Sequence, residues 1–204
     1  YADFLEAFTT QHSQYEIEYV FLPRKRLDAA VMQGKADAFA LNSTVFVAED
    51  LRDEFHFSET LWNTNDQLIT PTNNQHLCNN TLELFGKRIG VYSGNGYAKF
   101  DQLFAQETIY DIRVTSPKQL FKLILSGRID AMIENEEAFS YHVKHLGYHS
   151  SSFHICSEPV YSFELKMQLN KDRNDLLQKF NRFILQSRQN GFLDFLKKSY
   201  TKLP

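Results

Sequence analysis

The sequence has no long hydrophobic run. None of its apolar stretches approaches the roughly 20 residues needed to cross a membrane as a helix, and no secretory leader opens it. It has no basic excess either. Its 204 residues carry 22 Lys and Arg against 25 Asp and Glu, a net charge of −3, whereas a general nucleic-acid binder shows a strong positive balance. Cysteine is scarce: Cys78 and Cys156 have no close cysteine neighbour to form a thiol redox motif, and they leave open one disulfide or two buried thiols. No Ser/His/Asp or Cys/His arrangement compels catalysis. Gly94-Asn95-Gly96 lacks the third glycine of a dinucleotide fingerprint. With 43% hydrophobic and 23% charged residues, the composition is that of an ordinary soluble globular protein.

What is present is one stretch that occurs twice. Residues 117 to 135 read as a helix with Leu120, Leu123 and Ile124 on one face, then Ser126-Gly127-Arg128-Ile129-Asp130-Ala131, then the apolar Met132-Ile133. Residues 24 to 42 repeat the plan with Leu27, Ala30 and Val31, then Gln33-Gly34-Lys35-Ala36-Asp37-Ala38, then Phe39-Ala40-Leu41. The offset is constant, since 127 − 34 and 130 − 37 both give 93. Glycine just past a helix takes the left-handed conformation that closes the last turn, and the following Lys or Arg suits the negative helix end. Each copy predicts a helix running into a buried strand. So long a period, with helix and strand in each unit, predicts two similar α/β lobes rather than a solenoid of short repeats.

Further marks follow in order: Phe57-Ser58; Phe85-Gly86-Lys87-Arg88-Ile89-Gly90-Val91; and Asn190-Gly191-Phe192-Leu193 with Lys197, Lys198 and Tyr200. Together with the two Gly-(Lys/Arg)-x-Asp-Ala runs, these resemble the extracellular solute-binding proteins of family 3, the amino-acid-binding type that serves ABC importers and bacterial sensors. The resemblance covers nearly the whole chain. It implies an α/β, two-lobed, periplasmic-binding-protein-like fold of the Venus flytrap type (type II), each lobe a sheet flanked by helices. Lobe one would comprise residues 1–70 and 163–204, and the inserted lobe two residues 71–162. Both cysteines would then lie in one lobe. The resemblance also implies a strand ahead of the first helix, carrying a ligand-stacking aromatic, which this sequence does not contain.

In chain order, Asp3 is expected to cap a first helix bearing Phe4, Leu5 and Phe8, and the alternation over Tyr15–Phe21 predicts a strand. Asn42, Ser43 and Thr44 follow the first repeat's strand. Polar groups at the carboxyl end of a strand are where open α/β sheets hold ligands, and an ordinary capped turn is the competing reading. The resemblance implies an Arg soon after, clamping a ligand carboxylate. Counting from Asp37 puts Glu49 there, counting back from Phe57 puts Leu51, and Arg52 is the nearest candidate. Trp62 reads as core or as a ligand platform. A strand at Gln67–Thr70 would leave lobe one, and Thr72–Gln75 would connect the lobes.

Lobe two would open with a strand at Lys87–Tyr92. Ser93, Gly94, Asn95 and Gly96 follow, and a helix from about Tyr97 would aim backbone N–H groups at an anion. Where the resembled family has an Asp pairing the ligand's amino group, this chain has Asn135, with Glu134 and Glu136 as replacements; an acidic helix start is the competing reading. His142, His145, His149 and His154 lack a metal-ligand interval and read as polar surface. Phe163–Leu169 would return the chain to lobe one, ahead of amphipathic helices over Asp172–Gln189 and Phe192–Tyr200.

The function implied is an extracytoplasmic, periplasmic binding protein or sensor domain. It would trap a small polar solute, an amino acid or related organic acid, by hinge closure, as a monomer without cofactor, metal or nucleic acid. Its macromolecular partner would be an ABC importer's membrane component or a receptor's transmembrane part. Two other readings stay open: an enzyme on the same fold, dehydratase-like or cell-wall-associated, and a ligand-free module that contacts a partner protein.

Overall fold

The computed structural model describes residues 1–22 and 24–201, with the backbone alone at residues 24, 25, 200 and 201. The Tyr200 side chain of the closing motif and residues 202–204 of the expected first lobe therefore lie outside the described residues. The chain divides into two compact units, Tyr1–Asn63 with Phe163–Tyr200, and Thr64–Ser162. Unit 1 begins with α1 (Ala2–Gln11), α2 (Arg24–Met32), β1 (Ala38–Asn42) and β2 (Phe55–Phe57). The long strand β3 (Trp62–Pro71) carries the chain into unit 2. There follow β4 (Arg88–Tyr92), α3 (Lys99–Ala105), β5 (Tyr110–Val114), α4 (Pro117–Leu125), β6 (Ala131–Asn135) and α5 (Glu136–His145). The 18-residue β7 (Phe153–Asn170) leads back to unit 1, which ends in α6 (Asn174–Gln189) and α7 (Phe192–Thr201).

The repeat holds residue for residue. The starts of α4 and α2, 117 − 24, and of β6 and β1, 131 − 38, both differ by 93. The turns that close the helices also match. Gly34 donates to the Val31 carbonyl and Lys35 to Ala30; Gly127 donates to Ile124 and Arg128 to Leu123. Both glycines are left-handed, with φ of 65° and 67°, as this helix ending requires. The aspartate of each motif then meets an arginine: Asp37 lies 3.3 Å from Arg173 and Asp130 3.1 Å from Arg88.

Unit 1 packs around phenylalanine. Phe4 and Phe8 of α1 and Phe180 and Phe183 of α6 are buried with Met167 and Leu169 of β7, their rings 5.0–5.7 Å apart. Spacings of i and i+3 or i+4 put each pair on one helix face. The strands β1 and β2 both run antiparallel to the last residues of β7.

In unit 2, β4 is flanked in parallel by β5 and β6, β6 runs antiparallel to β3, and β3 adjoins β7. Alternation gives this sheet two apolar faces. Leu68, Ile89, Val91 and Ile133 share one core with Phe100, Phe104 and Leu77, while Ile69 and Met132 meet Leu120, Phe121, Ile124 and Phe139 on the other. Ser116 caps α4 by accepting the Gln119 N–H at 3.3 Å, with Pro117 in its first turn. Cys78 and Cys156 form a disulfide within this unit.

Four expectations are corrected. Asp3 sits in the first turn of α1 and Tyr1 occupies the cap position, without a side-chain bond. Tyr15–Phe21 is not a strand. Tyr15 and Ile17 pack against the core, yet Tyr19, Val20 and Phe21 stand exposed; alternation makes a strand only where a neighbour takes its backbone bonds. The strand expected at Gln67–Thr70 starts at Trp62, so the units divide inside it. The helix expected from about Tyr97 starts two residues later, at Lys99.

Candidate functional site

In unit 2 the polar groups collect at the carboxyl ends of β4 and β6 and at the start of the antiparallel β3, the end at which open α/β sheets hold ligands. Glu134 is 5% exposed. Its carboxylate accepts the Tyr92 hydroxyl and, at 3.2 Å, the Asn135 N–H. Burial, followed by the charge of Glu134, holds the Tyr92 hydroxyl far above its ordinary pKa, so it stays a donor. His142 of α5 approaches with Nδ1 3.7 Å from the same carboxylate. The cross-strand partner of Glu134 is Gln67, 7% exposed, whose Oε1 has no hydrogen-bond partner.

Asn135 does two structural jobs. Its Oδ1 accepts the Ala138 N–H at 3.2 Å and caps α5, while its Nδ2 donates to the Thr64 hydroxyl at 2.7 Å and the Asn65 carbonyl at 3.3 Å. Thr64 in turn donates to Glu137, and Glu136 accepts from Asn65. Asp66, opposite Asn135 on β3, completes the group. Burial first, then the charges of Glu134 and Glu137, push its carboxyl up to about 6, against a hydrogen bond from Asn135 that lowers it. The end of the sheet is thus acidic, with Asp66 partly buried among like charges.

The loop after β4 is exposed from Ser93 to Gly96. The Ser93 N–H donates to Val114 at 2.8 Å, and Gly94 has φ of 93°. Several N–H groups here are engaged within the chain, and that of Asn95 donates to the Tyr92 carbonyl at 3.4 Å. The Tyr97 N–H donates to Asp101 of α3 at 2.6 Å, its hydroxyl accepts the Tyr92 N–H at 2.7 Å, and Ala98 is held at φ of 49°. An internal carboxylate already fills the start of α3.

In unit 1 the end of β1 is built differently. Asn42 and Ser43 are buried. The Asn42 amide donates to Gln168, Gln168 donates to Asp28 at 3.2 Å, and the Asn42 Oδ1 accepts the Ser43 N–H at 2.9 Å. This chain of amides joins β1, β7 and α2 inside the unit. Thr44 opens a short 3-10 helix to Phe46. Arg52 is exposed, its Nε donating to the Val47 carbonyl at 3.2 Å. Trp62 belongs to the core: it stands edge-on to Tyr1 and Phe4, and its indole N–H donates to Leu193 at 3.3 Å.

Unit 2 therefore brings together Glu134, Asn135 and Glu136 near one sheet end, with the Ser93–Gly96 loop following β4. Asn42, Asn135 and Trp62 spend their polar groups on internal bonds. Asp66 was missed in the sequence, although the polar Thr64 and Asp66 ahead of Leu68, two apart on one strand face, were a usable signal. Among the described residues no group of three or more His, Cys, Asp or Glu is placed to hold a metal ion, and no helix is long and apolar enough to cross a membrane. His145 stacks on Tyr141 at 3.8 Å.

Residues 2–202 match the model of the bacterial extracellular solute-binding proteins, family 3. No curated protein matches the sequence. Among solved structures, the chain is similar to the GluR0 ligand-binding core in complex with L-glutamate, at 14% identity and TM-score 0.80 over 98% of this chain and 88% of that one. It is similar to the amino-acid ABC transporter substrate-binding protein AbpA of Streptococcus pneumoniae bound to L-arginine, at 18% identity and TM-score 0.79, over 98% and 82%. It is also similar to an ancestral amino-acid-binding protein described as a precursor of cyclohexadienyl dehydratase, at 17% identity and TM-score 0.76, over 98% and 84%. At such identities the likeness is one of fold.

Proposed function

Because this chain belongs to family 3 of the bacterial extracellular solute-binding proteins, we propose that it binds an amino acid or a closely related solute bearing a cationic group. Unit 2 receives the cation through Asp66, Glu136 and Glu137. The observation that carries this reading is Asp66. Its carboxyl is pushed up to about 6 by burial and by neighbouring carboxylates, a state that an ammonium or guanidinium relieves. The relatives described with L-arginine and L-glutamate supply the ligand class. The acid end argues for the cationic member.

Strands β3 and β7 carry the chain from one unit to the other, and a bound solute would favour the conformation that holds it. In this reading the protein works outside the cytoplasm, handing solute to an ABC importer's membrane component or reporting it as a receptor's sensory part. A thermal-shift panel of L-arginine, L-lysine, L-glutamate, L-glutamine and simple amines tests it. At a hundredfold excess over Kd the stabilisation is about 2.7 kcal/mol, and L-arginine or L-lysine should exceed L-glutamate. A larger shift with L-glutamate, or no shift across the panel, removes the assignment. Chromatography of the same mixtures should return the solute unchanged, and a product peak would favour an enzyme.

A further inference from the structure

The end of unit 2 that carries Asp66 is rich in acceptors. Besides the carboxylates of Asp66, Glu134 and Glu137, it holds Gln67, one residue along β3 from Asp66 and directly opposite Glu134. Gln67 is 7% exposed, and its Oε1 has no partner. A buried acceptor costs free energy until a donor reaches it. A solute suited to this end therefore brings N–H groups, and an ammonium or guanidinium brings several.

The loop after β4, which the sequence offers as the seat of a solute's anion, already holds a carboxylate of the chain's own. Asp101 turns back four residues, and its Oδ2 accepts the Tyr97 N–H at 2.6 Å. The same oxygen stands 3.4 Å from the place a Cβ on Gly96 would take. The Ser93 and Asn95 N–H groups are bound to the Val114 and Tyr92 carbonyls. Tyr97 joins this loop to the acidic end. Burial first holds its hydroxyl above its ordinary pKa; the Tyr92 backbone and Asn95 lower it, and the charges of Asp66 and Glu134 raise it. A carboxylate brought to this loop would meet Asp101 in place and two further negative charges nearby, and like charges set together lower affinity sharply.

We infer that Asp101 is a specificity-determining residue: it occupies the carboxylate position of unit 2 itself, so the preferred solute is an amine or guanidine without a carboxylate. The inference rests on the reading that unit 2 receives a cation, and it narrows the solute from a cationic amino acid to its decarboxylated counterpart. The selection works by exclusion. The carboxylates and Gln67 attract the donors that both solutes share, and Asp101 repels the one group that only the amino acid has.

The test is calorimetric titration at pH 7.5 of two pairs that differ by one carboxylate, L-arginine against agmatine and L-lysine against cadaverine. In the wild-type protein each amine should bind at least about tenfold tighter than its amino acid. L-argininamide, which keeps the bulk but loses the charge, should follow agmatine. The same titrations into Asp101→Ala and Asp101→Asn read the residue's role. The first frees the Tyr97 N–H, and the second keeps an acceptor for it while removing the charge. In both, the preference for the amines should shrink by at least about threefold, through a gain by the amino acids. An amino acid that binds as tightly as its amine in the wild-type protein overturns the inference and leaves the cation reading standing. A preference that survives unchanged in both variants also overturns it, because another group would then exclude the carboxylate. Failure of all these solutes to bind removes the cation reading, and the inference with it.

Discussion

Gly34 and Gly127 close α2 and α4 with the same left-handed turn, and each is followed by a strand of five residues ending in asparagine. The surroundings of the two strands differ. Among the described residues β6 is flanked on both sides, whereas β1 joins β7 alone. The asparagines are also used differently. Asn42 feeds a buried chain of amides through Gln168 to Asp28, and Asn135 caps a helix and ties β6 to Thr64. Local sequence sets the turn, the helix end and the strand, because these depend on groups within a few residues. The rank of a strand in a sheet depends on neighbours that local sequence does not contain. Charge separates the two ends further, since carboxylates crowd the end of β6 while amides fill the end of β1.

The largest way to break the likeness is the disulfide, which unit 2 has and unit 1 lacks. Its 78-residue separation predicts that Cys78→Ser with Cys156→Ser costs about 4 kcal/mol by the chain-entropy argument. Urea unfolding of the variant should show that loss in probes within unit 2. A midpoint unchanged by reduction would mean that the bridge is dispensable.

Gly90→Val comes next. Overpacking against Ile129 and Leu120 should cost roughly 1–3 kcal/mol or more, read from the same transitions. Phe39→Val at the edge strand should cost less, because β1 lacks the second neighbour. A similar loss at both positions would erase the contrast between interior and edge.

Asp66→Asn is expected to stabilise the free protein. The folded carboxyl titrates at about 6, above its ordinary 3.8, so the protonated form is the one folding favours. The contribution is fully present below about pH 4 and lost as pH rises through 6. At pH 7.5 the variant should therefore gain up to about 3 kcal/mol, fading to nothing near pH 4. Thermal melts across that range decide it, and a gain independent of pH would point to some cause other than the charge.

The smallest test sharpens the likeness. Gly34→Ala and Gly127→Ala each place a Cβ in open space at positive φ, so each should cost about 1 kcal/mol from backbone strain alone. Equal losses would show that the two turns are energetically one motif. A large difference would show that the match in hydrogen bonds is only geometric.

The repeat was legible because a glycine that ends a helix and an aspartate that follows it are set by local geometry, and the family resemblance rested on the same residues. Trp62 was open between core and ligand, and only the distant Tyr1, Phe4 and Leu193 placed it in the core. Tyr15–Phe21 carried a strand's alternation but not a strand's partner. The occupation of the α3 start by Asp101 was beyond sequence reasoning, since it depends on a side chain folding back four residues to the Tyr97 N–H. Asp66 was hidden for a similar reason: its carboxyl is perturbed by Glu134 and Glu137, about seventy residues away in the chain.

If the acidic sheet end centred on Asp66 receives a solute's cation, removing that one charge must weaken binding. Calorimetric titration of L-arginine into the wild-type protein and Asp66→Asn, at pH 5 and pH 7.5, tests this most directly. Saturable binding that is tighter at pH 7.5 and at least about tenfold weaker in the variant, the loss of one charged hydrogen bond of about 1.5–3 kcal/mol, is the predicted result. Equal affinity in both proteins at both pH values would contradict it.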